Sequence, residues 1–275
     1  MKNDCSRVYA WAGFTLAAIL LASPASAQYQ PRPLNDPATG ESFHIEGGVS
    51  LWRPTADMTV ASEGFNIPGT LIDFKKDLGV TDSSFPAFSL VLKPADRHKF
   101  RMQYIPISYQ AESTLRRDIV FNGQRYSTNL PVNTDLEWRA FRFNYEFDFV
   151  KKNRGYAGFI VEAKYTDIRA DLNSPIASEF AHARFPVPAL GGVGRVYVVP
   201  NISITGEFTG FTIPDSIDNR YRAHYVDFDL YGTVNITNNF GVQGGYRSLD
   251  VGYLIKTDTG SLTLKGIYFG AVARY

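Results

Sequence analysis

Residues 141–149 read Phe-Arg-Phe-Asn-Tyr-Glu-Phe-Asp-Phe, with an aromatic at every odd position and a polar or charged side chain at every even one. A period of two belongs to a β-strand with one apolar and one polar face. Five aromatics in a row on one face are bulky for a sandwich core about 10 Å thick. Against lipid they need no interdigitating partner. The same alternation runs through Tyr156–Tyr165, Asn201–Thr209 and Tyr225–Ile236.

Ten such segments can be marked, at 42–53, 86–94, 98–113, 134–150, 155–169, 188–199, 201–213, 222–236, 239–255 and 261–275. Their connections alternate in length. Pro94–Arg97, Lys151–Arg154, Pro200-Asn201 and Thr237-Asn238 are tight, whereas 54–85, 114–133, 170–187, 214–221 and 256–260 are longer. Short turns at one rim and long loops at the other are the layout of a bacterial transmembrane barrel. Closure is required because a strand in lipid must satisfy every backbone polar group within the sheet. The apolar parity switches near Tyr104–Ile107 and again near Arg247–Leu249, which predicts a β-bulge at each place. The expected fold is therefore all-β, a transmembrane up-and-down antiparallel barrel of about ten strands. Eight or twelve strands are compatible with the same pattern.

The N-terminus reads as an export signal. Lys2 and Arg7 precede an apolar stretch, Ala10–Ala22, and Ala25 and Ala27 supply the small residues of a cleavage site. The expected organisation is a signal peptide at 1–27, a periplasmic N-terminal tail at 28–41 and the barrel at 42–275. Of 28 Lys+Arg and 27 Asp+Glu, the signal holds two and one, so the mature chain carries 26 of each. A net charge of zero excludes a nucleic-acid partner, which requires a basic surplus. The single cysteine, Cys5, lies in the signal, so disulfides cannot stabilise the exported chain.

The last strand alternates Ile267, Phe269, Ala271, Ala273 and Tyr275 on one face and ends the chain on an aromatic. This resembles the terminal-strand signal of Gram-negative outer-membrane β-barrel proteins, small porin-like barrels included. At the level of architecture the resemblance covers essentially all of 40–275. It implies an outer-membrane address, lipid as partner, and recognition of Tyr275, Phe269 and Ile267 by the barrel assembly machinery.

With the apolar face on lipid, the inward set is His44, Glu46, Arg101, Arg142, Glu146, Asp148, Glu162, Lys164, Arg195, Glu207, Asp227, Asp229, Arg247 and Arg274. Both signs are present, and charges in a low-dielectric lumen must pair or be wet. Ten strands enclose too little space for a wide channel. Three readings follow. The first is a structural or surface-presenting barrel, or a narrow passive channel for a small polar solute, with paired charges lining the lumen and no enzymatic activity. The second is an enzyme sited at the extracellular rim, as in the ten-stranded omptin proteases, which requires two or more of His182, Asp215, His224 and Asp250 to converge. The third is a soluble exported barrel that binds a small apolar ligand. No metal-ligand or cofactor motif is found, so no cofactor is expected.

Overall fold

The computed structural model describes residues 37–63, 67–176, 178–213, 221–255 and 258–275. The signal segment with Ala25 and Ala27, the tail up to residue 36, and Asp215 lie outside the described residues. The elements in chain order are β1 (Ile45–Ala61), β2 (Ile72–Asp73), β3 (Phe85–Ala95), β4 (His98–Thr114), β5 (Ile119–Phe121), β6 (Gln124–Tyr126), β7 (Pro131–Lys152), β8 (Gly155–Asn173), β9 (Ser178–Val199), β10 (Ile202–Ile213), β11 (Tyr221–Asn235), β12 (Phe240–Ile255) and β13 (Asp258–Arg274).

Ten of these form one antiparallel meander, β1-β3-β4-β7-β8-β9-β10-β11-β12-β13. It closes where β13 pairs with β1, from Glu46 opposite Arg274 to Ala61 opposite Thr259. Closure removes the two edges that lipid could not satisfy. The even strand number puts Ile45 and Tyr275 at the same end, where the Ile45 N–H and carbonyl both bond the Tyr275 backbone. That end also holds the short turns, and in bacterial barrels it faces the periplasm.

The strands outrun the bilayer. A tilted crossing takes about 9–11 residues, yet β7 and β9 have 22 each. The apolar outward row of β7 covers only Phe141–Phe149, about 20–25 Å of height at 3.3 Å per residue and a tilt near 40°. Above that row the wall continues out of the membrane, and its chemistry inverts. Facing outward come Arg139 and Glu137 on β7, Asp167, Arg169 and Asp171 on β8, and His182 and Arg184 on β9. Facing inward, the charged side chains give way to Trp52, Met58, Ile105, Ile107, Tyr109, Leu136, Trp138, Leu172 and Leu249, all in one buried cluster. The lower half is thus apolar outside and charged inside, and the upper half is the reverse.

This inversion corrects three expectations. No bulge occurs at Pro106 or at Arg247–Leu249. β4 pairs with β7 without a shift from His98 to Thr114, and β12 holds register with both neighbours. Lys99, Ile105, Ile107 and Tyr109 share one parity and all are buried. The lumen changes character there, and the strand keeps its facing. Pro106 falls just past the β3–β4 ladder, which ends at Phe88 opposite Tyr104, so its missing donor costs little. The true register shifts lie near the short turns, at Leu92/Ala95, Asp148/Val150 and Ile202/Ser203. Finally, residues 54–61 and 178–187 belong to strands β1 and β9, not to loops. Their outward faces carry Thr55, Asp57 and Thr59 on β1 and Ser178, His182 and Arg184 beside Phe180 on β9, so no continuous apolar stripe marks them.

The two longest loops fold back over the mouth. Ile72, Phe74, Leu78 and Val80 from one, and Leu115, Ile119, Phe121 and Tyr126 from the other, enter the buried cluster. The second loop contains the β5–β6 hairpin, turned by Asn122 (φ 49°) and Gly123 (φ 79°). An Asn-Gly pair with both φ positive is the preferred two-residue hairpin turn. Arg117 fastens the loops together with 2.9 and 2.6 Å bonds to the Asp77 carboxylate.

Candidate functional site

The lumen below the apolar cap is filled by ion pairs drawn from six strands. Lys99 on β4 donates to Glu146 (2.6 Å) and lies 2.9 Å from Asp148, both on β7. Arg101 reaches Glu146 at 3.2 Å and Glu207 on β10 at 2.7 Å. Arg142 donates to Glu162 on β8 (2.6 and 2.8 Å) and to Glu207 (3.1 Å). Asp227 on β11 gathers Arg247 (2.6 and 3.0 Å), Lys164 (3.0 Å) and the Tyr225 hydroxyl (2.7 Å), with Arg142 at 3.5 Å. Gln103 bridges the top, accepting from Arg142 (3.1 Å) and Arg247 (2.8 Å). The chain from Asp148 to Arg247 therefore crosses the barrel without a break.

The other inward charges sit around this chain. Arg195 donates to Glu41 (2.9 Å), Thr205 (2.8 Å) and the Tyr231 hydroxyl (3.2 Å), and Arg101 shares that hydroxyl at 3.4 Å. Arg274 pairs with Glu46 at the closing seam and donates to Asn235 (2.8 Å). Asp229 accepts the Tyr268 hydroxyl (2.9 Å) and makes no ion pair among the described residues. Two ammonium groups also rest on rings, Lys99 3.5 Å from Tyr156 and Lys164 3.7 Å from Tyr225. Such charges tolerate burial because each has opposite charge and hydrogen bonds around it.

Thirteen of the fourteen inward residues read from the sequence lie inside the wall; His44 does not, because it precedes β1, where strand alternation no longer sets its facing, and it is exposed. Lys93, Lys99 and Glu41 join the thirteen and escaped notice. Lys99 sits beside the charged turn at 96–97 and looks like part of it, although its parity with Arg101 points inward. Glu41 precedes the first strand, and no periodicity reaches it.

Glu41 belongs to a strap, Pro37–Phe43, that crosses the short-turn end. Ala38 N–H bonds the Asn153 carbonyl (3.1 Å), Thr39 N–H the Pro200 carbonyl (2.7 Å) and Gly40 N–H the Asn238 side chain (3.1 Å). Each partner lies in a different short turn. Gly40 has φ +83°, a left-handed conformation that suits glycine. Burial pushes the Glu41 carboxyl up, but Arg195 and the Tyr197 hydroxyl (2.6 Å) outweigh it and hold the pKa down at about 2. Lys93 donates to the Glu41 carbonyl (2.6 Å).

Little free volume remains. A cavity of about 90 Å³ persists in mid-lumen among Arg101, Gln103, Arg142, Glu207, Asp229 and Arg247. That is room for a few waters. Beside the strap is a vestibule of about 530 Å³ lined by Glu41, Phe43, Lys93, Lys151, Tyr156 and Tyr197.

At the opposite rim His224 and Asp250 meet at 3.1 Å, both half-exposed on the outer wall. The His224 ring lies over Gly252, in the space a side chain there would fill. His182 does not join them and is held by Asp167 at 2.7 Å, with Arg184 on the same carboxylate at 3.1 Å. Ile267, Phe269 and Tyr275 point outward and are well exposed, in line with a lipid-facing last strand.

No protein-family model matches the chain, and no curated protein matches its sequence. Solved structures do. The outer membrane protease OmpT from Escherichia coli aligns over 84% of this chain and 97% of its own, at 9% identity and a TM-score of 0.52. An outer membrane channel from Pseudomonas putida F1 aligns over 88% and 99% (10% identity, TM-score 0.39), and the attachment invasion locus protein Ail of Yersinia pestis over 82% and 99% (8% identity, TM-score 0.36). The likeness to OmpT is one of fold. With the closed meander and the apolar outer belt, it defines the class: the chain is a ten-stranded outer-membrane β-barrel. The soluble alternative is corrected by that belt, because Val49, Leu51, Phe143, Phe159, Leu190, Phe208 and Phe269 are all exposed on the outside.

Proposed function

We propose that this protein is a structural, surface-presenting barrel whose lumen is shut. The observation that carries this reading is the chain of ion pairs across the lumen, which leaves a mid-lumen cavity of about 90 Å³, between two closures, the strap at the short-turn end and the folded loops at the other. The upper wall, built like a soluble domain with an apolar interior, then serves as a rigid platform outside the cell. The outward row of Ile267, Phe269 and Tyr275 supplies the signal read by the assembly machinery.

Planar-bilayer conductance of the refolded protein tests the reading. The expected result is a folded, heat-modifiable barrel that passes no discrete current, and the same silence after Arg142→Glu in any variant that still folds. A stable salt-dependent conductance would replace this reading with the narrow channel for a small polar solute. That alternative uses the 90 Å³ cavity and the vestibule as its path, and it needs both closures to move. Among the described residues, the rim candidates that converge are His224 and Asp250, and their contact faces away from the lumen.

A further inference from the structure

The outward face turns from apolar to polar at a definite level on each strand. On four strands the first polar residue is a cation. Leu51 is followed by Arg53 on β1, and Ile267 by Lys265 on β13. Phe141 gives way to Arg139 on β7, and Pro186 to Arg184 on β9. Two of these cations bring their own acids. Arg139 lies 3.3 Å from Glu137, and Arg184 lies 3.1 Å from Asp167. Arg53 and Lys265 have no acidic partner among the described residues. Both are exposed.

These two are neighbours across the closing seam. Arg53 stands opposite Ile267, and Thr55 opposite Lys265, so the two cations are one diagonal step apart. That step is roughly 7–8 Å in an antiparallel pair. Two like charges at this spacing repel; Asp57 on β1 and Asp250 on β12 stand level with Thr263, one diagonal step from Lys265 on its other side, and neither forms an ion pair with it. Directly below lie Leu51, Ile267 and Phe269, each more than half exposed, at 57, 54 and 66%. The site therefore has an apolar floor for hydrocarbon chains and a cationic edge where a lipid headgroup would sit. A guanidinium binds phosphate oxygens in a bidentate fork, and an ammonium adds a point charge beside it.

We propose that Arg53 and Lys265 form a binding site for the phosphate of an anionic membrane lipid in the leaflet at the long-loop end, with its acyl chains against Leu51, Ile267 and Phe269. The occupant is a lipid, not free phosphate, because the two cations sit at the hydrocarbon boundary and the contact continues downward onto apolar wall.

The test is native mass spectrometry of the refolded full barrel in detergent, titrated with phosphatidylglycerol or phosphatidylcholine. The wild type should prefer phosphatidylglycerol. The double variant Arg53→Gln/Lys265→Gln should lose roughly thirtyfold of that preference, since each basic group near an anionic surface contributes about a fivefold factor. The variant Glu137→Gln/Arg139→Gln, altered at a self-paired site, should keep it. Equal preference in wild type and Arg53→Gln/Lys265→Gln would overturn the proposal. Displacement of the lipid by millimolar inorganic phosphate would also overturn it, because the site would then be one for a free anion. Should the double variant fail to show heat-modifiable folding, the wild type alone decides. Its preference must fall as salt rises, and a preference flat in salt would refute the site.

Discussion

Asp227 concentrates more of the lumen chemistry than any neighbour, because three cations and a hydroxyl converge on one carboxylate. Removing its charge leaves Lys164 and Arg247 buried without their main partner. Asp227→Asn should therefore cost about 3–5 kcal/mol, the usual penalty for breaking one side of a buried pair, read as a lowered urea midpoint for the refolded barrel. Glu41 makes a second residue-level prediction. Its carboxyl is held down at about 2 when the strap is seated, against the ordinary 4.5 of a glutamate. A lowered folded-state value stabilises the docked strap above pH 4.5, and that contribution fades as pH falls toward 2. Hydrogen exchange of residues 37–43 should accelerate over that window, and Glu41→Gln should exchange fast at all pH values. Neither residue's role is legible from periodicity. Alternation shows that Asp227 faces inward, but which cations it meets depends on strands up to 85 positions away. Glu41 lies outside any strand.

At the scale of elements, the barrel strands were legible because the apolar belt and the charged lumen alternate in phase. The run from Phe141 to Phe149 shows this most plainly. Where the inside becomes apolar, the same alternation continues with its chemistry exchanged, so β1 beyond Arg53 and β9 before Pro188 read as loop. The parity change at Ile105–Ile107 has that cause also. The Asn122-Gly123 turn was the one local signal within the caps, and it was readable. Burial of Leu78 in the cap was not, because its place in one cluster with wall residues such as Trp52 and Tyr109 is a property of the folded mouth. Leu78→Ala should cost about 2–5 kcal/mol if the cap and wall unfold together. If the cap opens by itself, the loss appears instead as faster proteolysis in 62–84 with an unchanged global midpoint.

The whole molecule is held at one depth in the membrane by its inversion. Below the line, outward Phe143 faces hydrocarbon; above it, outward Ser108 faces water. Phe143→Arg should destabilise the barrel in phospholipid vesicles by about 2–4 kcal/mol, and Ser108→Arg by no more than about 1. A comparable cost at both sites would mean that the water line has been drawn at the wrong height. The closure proposed above is also a property of the whole, since the strap, the ion pairs and the cap lie one after another along the same axis. Opening any one leaves two in place.

The strap carries a consequence in time. Its anchors, Asn153, Pro200 and Asn238, come from turns spread over about a third of the chain. None of those turns exists until the hairpins they join have formed, and β1 closes the wall only on β13, the last strand of the barrel in chain order. The segment that leaves the ribosome before every strand is therefore the last to reach its place. Chain order and order of completion run in opposite directions in this protein.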